Sequence, residues 1–207
     1  MTFASGYLLD VASGQAAEAE VLHEIGDKQI LDWHTLWRPS LHQGLINLAA
    51  NEGSRASPPQ SVHWNWQEKA NHPSQIWAEG FCVVCGGETQ GMMLVNLVSQ
   101  HARLPGQEGK HLVYVDYVET APWNRARLHN PPRYRGVGAL LMRAAIDKSF
   151  FEGYKGRVGL HSLPQSAAWY ESKLNMTSLG EDPSKQNLPY FEMSTEQAIR
   201  ITGRRSS

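Results

Sequence analysis

The sequence predicts an α/β fold: a mixed central sheet flanked by helices. Three observations carry that expectation. The run His111–Thr120, HLVYVDYVET, is β-branched and aromatic throughout and is the strongest strand in the chain. A glycine turn and an amphipathic helix follow it, and then a second strand, RVGLHS; strands joined through a helix lie parallel, with a right-handed crossover. The third is the pair GFCVVCG and GMMLVNLVS, which reads as a hairpin closed through Gly86–Gly91.

The remaining elements follow in chain order. Residues 3–13 read as a first strand, and SGQAAEAE after them fits more than one state. From Asp27 to Asn51, Ile30, Leu31, Trp33, Leu36, Trp37, Leu41, Leu45 and Leu48 recur near helical spacing, and Pro39 divides the run into two helices. EGSRASPPQ is a loop by composition. Trp64, Trp66 and Trp77 sit close together and read as core packing, with a ligand-facing aromatic wall as the alternative. Past the loop 121–132, Val137, Leu140, Leu141, Ala144 and Ala145 form one apolar helix face, ended by Gly153 and Gly156. SLPQSAAWYESKLNM reads as a helix, with Ser162 and Gln165 at capping-box spacing and Pro164 in the first turn. LPYFEMS is a last strand. A chain of 207 residues suits a single domain, here a helical lead-in with a first strand over 1–75, a core over 80–193 and a tail over 194–207.

Composition narrows the function. Apolar residues make up 41% and charged residues 19%, and the formal net charge is -1, so nothing in bulk electrostatics points to nucleic acid or an anionic membrane. The amino-terminal segment does not read as a signal peptide, and no apolar run reaches the roughly 18 residues of a membrane span. Cys82 and Cys85 lack the further ligands that a zinc site needs and read as ordinary strand cysteines of a reducing compartment; no metal is expected, and cytoplasm is the default location.

The segment PPRYRGVGALLMRAAIDKSF carries the chemistry. A helix start exposes unpaired N–H groups and the positive end of the helix dipole, and glycines there let an anion approach the backbone. Arg133 and Arg135 add charge beside Gly136 and Gly138, so the turn suits a phosphate or pyrophosphate; a plain tight turn with solvated arginines is the alternative. The spacing is not a Walker A loop, and Leu141 stands where a dinucleotide fingerprint would have its third small residue.

Arg133-Tyr-Arg-Gly136-Val-Gly138 resembles the (Gln/Arg)-x-x-Gly-x-(Gly/Ala) loop of the GNAT N-acetyltransferases. Thr120-Ala121-Pro122 resembles the exit of that family's strand before the loop. The segment Ala167, Trp169-Tyr170, Leu174-Asn175-Met176 resembles its closing alanine-x-x-tyrosine helix, with Asn175 replacing a glycine in a residue type that tolerates left-handed backbone. The resemblance covers about residues 80 to 193. It departs from the family in about ten extra residues, 123–132, before the loop, and in Leu163, which stands where an asparagine is often found.

This resemblance implies a largely antiparallel mixed sheet and acetyl-CoA, or a longer acyl-CoA, as donor. It places the cofactor on Val118, Thr120, Arg133, Tyr134, Arg135, Gly136, Val137, Gly138, Ala139 and Ser162. It implies direct transfer to a primary amine, the N–H near Val118 holding the oxyanion and Tyr170 protonating the leaving thiolate. The base is Glu119 or Asp116, which in a regular strand face opposite sides. Acceptors range over small-molecule amines and peptide or protein amines, and a homodimer is common in the family. Trp123, Asn124 and Arg125 of the insert are candidate acceptor contacts, their composition suiting an acceptor with an acidic group as well as a solvated loop. A CoA-binding module without catalysis is the alternative function.

Overall fold

The computed structural model describes residues 2–71 and 77–204. Residues 1 and 72–75 of the expected lead-in and 205–207 of the expected tail lie outside them. The chain forms two compact units interleaved in sequence: one from residues up to 74 with 80–93 and 118–141, the other from 75–79, 94–117 and 142 onward.

The first unit opens with an antiparallel hairpin, β1 (Thr2–Asp10) and β2 (Ala16–Leu22). β2 is the part of the amino terminus that composition leaves open. Ala and Glu favour helix, yet Ala19 and Val21 are buried while Glu18 and Glu20 are exposed, a period of two imposed by pairing with β1 and β3. A helical run follows: α1 (Asp27–Asp32), a π-helical turn (Trp33–Trp37) and α2 (Arg38–Glu52). The expected break at Pro39 is therefore a widened turn rather than a loop. Proline has no N–H to give, and the extra residue of a π turn accommodates the interruption. A short helix α3 (Trp66–Ala70) is capped by the Asn65 side chain, which accepts from the amides of Gln67 and Glu68.

β3 (Ala78–Cys85) and β4 (Glu88–Asn96) flank a two-residue Gly86–Gly87 turn, tighter than the expected closure out to Gly91. β5 (Val113–Thr120) carries the embedded carboxylates, β6 (Tyr134–Arg135) pairs antiparallel with β1, and α4 (Val137–Phe151) begins directly after it. In the first unit the strand order is β6–β1–β2–β3–β4–β5. Gly91 sets how closely α4 lies on β4: a Cβ there would come within 2.6 Å of Val137 Cγ1 and 2.9 Å of Leu141 Cδ1.

In the second unit β5 pairs in parallel with β7 (Val158–His161), the relation predicted from the helix between them. β7 pairs antiparallel with β9 (Leu188–Met193), which pairs with β8 (Thr177–Asp182), giving the order β5–β7–β9–β8. α5 (Pro164–Leu174) has Pro164 in its first turn, as expected. Its cap residue is Leu163, with no side-chain cap bond; the Ser162 hydroxyl donates to the Leu163 carbonyl, so the expected capping box does not form. Asn175 ends α5 in the left-handed conformation that its residue type tolerates (φ 51°), and the Met176 amide returns to the Tyr170 carbonyl at 3.1 Å. Within the expected tail, α6 (Thr195–Thr202) starts at a capping box made by Ser194 and Gln197 and buries Ala198.

The mixed sheet has one parallel pair, β5 with β7, among the pairings described, the rest being antiparallel. Both cysteines are buried free thiols in β3, and burial pushes the Cys82 thiol up to about 12, an inert strand cysteine at neutral pH.

Candidate active site

The mouth of α4 is built by the local sequence. β6 delivers the chain to Gly136, whose φ of +104° lets the backbone turn from strand into helix within one residue. The Leu140 amide donates to the Gly136 carbonyl at 3.0 Å and closes the first turn. The N–H groups of Val137, Gly138 and Ala139 thus lie at the positive end of the helix without intrahelical acceptors. Val137 is buried and anchors the turn, Gly138 is half-buried, and Arg135 and Ala139 are exposed.

The two arginines of the turn differ. Arg133 is ion-paired with Glu88 and lies 5.1 Å from the centre of the Tyr134 ring. Arg135 is exposed and has no ion pair among the described residues, so its charge is the one available to an anion at the helix mouth. Tyr134 is buried, and its amide donates to Asn124 Oδ1 at 2.9 Å.

The insert 123–132 braces this turn. Trp123 Nε1 and Asn124 Nδ2 both donate to Gln90 Oε1, at 2.8 and 3.0 Å, and the Arg133 amide donates to the Trp123 carbonyl. Arg125 donates twice to the Thr120 carbonyl, at 2.9 and 2.6 Å, and pairs with Glu119 at 2.7 Å. Glu119 is buried and also accepts from Ser61 Oγ (2.7 Å) and Trp66 Nε1 (2.5 Å). Val118 and Thr120 flank it, half-buried on β5.

A cavity of about 350 Å³ opens in the first unit. Its walls include Trp33, Trp37 and Trp64, with Arg38, Glu119 and Arg125 among its polar lining. Of the insert residues considered from sequence, Arg125 lines this cavity, whereas Trp123 and Asn124 turn to Gln90. Trp33 and Arg38 were not legible as site residues; the one available signal was Trp33, Trp37 and Arg38 close together just before Pro39.

The second unit holds the other expected residues. Tyr170 is buried beside Trp169 and Phe191, with ring centres 5.1 and 5.9 Å away, and burial raises its phenol above the usual tyrosine range, keeping the proton on. Ser162 is buried, and its amide donates to the Pro189 carbonyl. Asp116 is half-buried on β5, two residues from Tyr114, and its charge helps raise the Tyr114 phenol after burial itself.

Tyr114 leads into a polar chain that the sequence did not reveal. Its hydroxyl meets His161 Nδ1 at 2.6 Å, and His161 Nε2 meets Asp182 Oδ2 at 3.0 Å. A carboxylate only accepts, so Nε2 carries the proton and Nδ1 accepts from Tyr114. Ser184, Arg103 and His161 all donate to Asp182 and hold its carboxyl well below the usual range, while burial lowers the His161 imidazole. Both shifts favour the deprotonated group in the folded state, so both contribute stability that is lost as pH falls. The His161 part starts to fade below its ordinary 6.5 and the Asp182 part below 3.8. Urea midpoints should therefore fall from pH 7.5 to 5.5, and His161→Gln should flatten that slope; a midpoint that rises over this interval contradicts the assignment.

Neither a family model nor a curated protein matches the sequence. Solved structures do. A mutant AtaT toxin bound to the carboxyl terminus of antitoxin AtaR and acetyl-CoA is 13% identical, with 90% of this chain and 98% of that chain covered and a TM-score of 0.51. Arylalkylamine N-acetyltransferase 7 of the yellow fever mosquito is 11% identical, covering 93% and 94%, with a TM-score of 0.52. FeeM, an N-acyl amino acid synthase from uncultured soil microbes, is 12% identical, covering 88% and 93%, with a TM-score of 0.51. Identities this low establish fold and nothing finer: the chain has the GNAT acetyltransferase fold.

Proposed function

We propose that this protein transfers an acetyl group from acetyl-CoA to a primary amine. The observation that carries the reading is the mouth of α4: Gly136 at positive φ, three amides at a helix start and Arg135, which has no ion pair among the described residues, on a fold whose solved examples include one with acetyl-CoA bound. The amides of Val137, Gly138 and Ala139 hold the pyrophosphate, and Arg135 neutralises it from outside. Arg133, engaged by Glu88, keeps the turn in shape.

Acetyl-CoA supplies an activated acyl carbon as its thioester. The amine nitrogen bonds to that carbon as the carbon–sulfur bond breaks; a base takes the amine proton and an acid returns one to sulfur. Glu119 is assigned the base role because it is the carboxylate that lines the cavity. Its three donors, Arg125, Ser61 and Trp66, fix its carboxylate at the cavity wall. Asp116 is the second candidate for that role. The Val118 N–H is assigned to the oxyanion and Tyr170, kept protonated by burial, to the thiolate. Ser162, Thr120 and Tyr134 stay as the further proposed cofactor contacts. Acceptors such as the arylalkylamines and amino acids named for the mosquito enzyme and FeeM are the first to try.

Thiol release from acetyl-CoA over an amine panel tests this. Wild type should turn over at least one amine, and Tyr170→Phe should lower kcat by about a hundredfold with CoA affinity kept. Tight CoA binding without turnover of any amine would instead identify a non-catalytic CoA-binding module.

A further inference from the structure

We infer that the cavity of the first unit selects an aryl amine bearing an anionic group, such as an aromatic α-amino acid, and that Arg38 is the residue that reads the anion. The inference rests on the acetyl-transfer reading and names its acceptor class.

Size comes first. About 350 Å³ is at the small end of ligand pockets, enough for one amino acid-sized molecule and too little to enclose a peptide. Three tryptophan walls suit a flat apolar body.

Charge decides the rest. Aromatic walls commonly receive cations, so a cationic ligand is the obvious rival. Here the Trp33 ring already has the Arg38 guanidinium 5.6 Å from its centre, and the Trp64 ring has Lys69 at 5.1 Å. The lining holds a single carboxylate, Glu119, neutralised by Arg125 at 2.7 Å. A ligand cation would meet no free negative charge. A ligand anion meets Arg38, which is exposed, always charged and without an ion pair among the described residues. Arg125 cannot serve in its place, because its donors are committed to the Thr120 carbonyl, Ser61 and Glu119.

Two readouts test this. Calorimetry with N-acetylphenylalanine and N-acetylphenethylamine needs no turnover, and thiol release with phenylalanine and phenethylamine adds kcat/KM. The carboxylate member of each pair should be favoured about tenfold or more, the worth of one charge-assisted contact. Arg38→Gln should bring the ratio close to one, and Arg38→Lys should keep part of it. Arg127→Gln, an exposed arginine paired with Glu52 and outside the cavity lining, should leave the ratio as in wild type. Equal or better binding of the uncharged member, no binding of N-acetylphenylalanine, or a preference that survives Arg38→Gln overturns the inference. CoA titrated in parallel separates the two levels: CoA heat without the carboxylate preference removes only this acceptor assignment, and no CoA heat removes acetyl transfer itself.

Discussion

Glu119→Ala should cost about 3 kcal/mol of folding stability, although it removes a single surface-adjacent carboxylate from β5. The reason is what it leaves behind. Glu119 and Arg125 are 8% and 18% exposed at their side chains, and Ser61 and Trp66 donate to the same carboxylate. Without it, the part-buried Arg125 guanidinium loses its counter-charge, and the Ser61 hydroxyl and the Trp66 N–H lose their acceptor. For a chain of this size the loss is about 6–12 °C in melting temperature. The contrast is Glu52→Ala, which breaks the ion pair with Arg127, where the side chains are 37% and 53% exposed. Solvent already screens that pair, and its loss should stay within about 0.5 kcal/mol. Urea unfolding of both variants decides the matter: equal small losses would mean that the Glu119 cluster does not hold the loop after β5.

Gly136→Val should reduce CoA affinity by about a hundredfold, the loss of two charge-assisted contacts. At φ +104° an L side chain is strained, and a β-branched one more so. Either the turn keeps its shape at a cost of about 1–3 kcal/mol in stability, or it relaxes and carries the amides of Val137, Gly138 and Ala139 out of line. The second outcome matters for function, because hydrogen bonds from a helix start need all their donors aimed at one point. Circular dichroism that shows a folded variant, with affinity lost, separates site damage from unfolding.

Sequence and structure agree best where local chemistry and tertiary demand coincide. β5, α4 and β7 are strong in propensity or period, and their parallel pairing follows from the helix between them. Asn175 and Pro164 sit where their backbone preferences put them. Legibility fails where pairing overrules propensity. β2 is alanine and glutamate made into a strand by its neighbours, and β6 is two residues long and exists because β1 offers it a partner. Ser162 has the right spacing for a cap and spends its hydroxyl on the next carbonyl instead.

The candidate site divides the same way. Its helix mouth was legible, because glycine position and helix start are local properties. The difference between Arg133 and Arg135 was not, because it depends on Glu88, 45 residues away in sequence. Nor was the cavity: Arg38 follows the π turn and Ser61 lies in the turn before α3, and single-sequence patterns do not show that both join Glu119 in one lining.

The central claim is that α4's first turn grips a diphosphate. Calorimetric titration of the wild-type protein with CoA and, in parallel, with pantetheine is the most direct measurement of it. The account predicts measurable heat with CoA, affinity that weakens as salt is raised, and binding of pantetheine at least a hundredfold weaker. Pantetheine bound as tightly as CoA, or no heat with either, would contradict it.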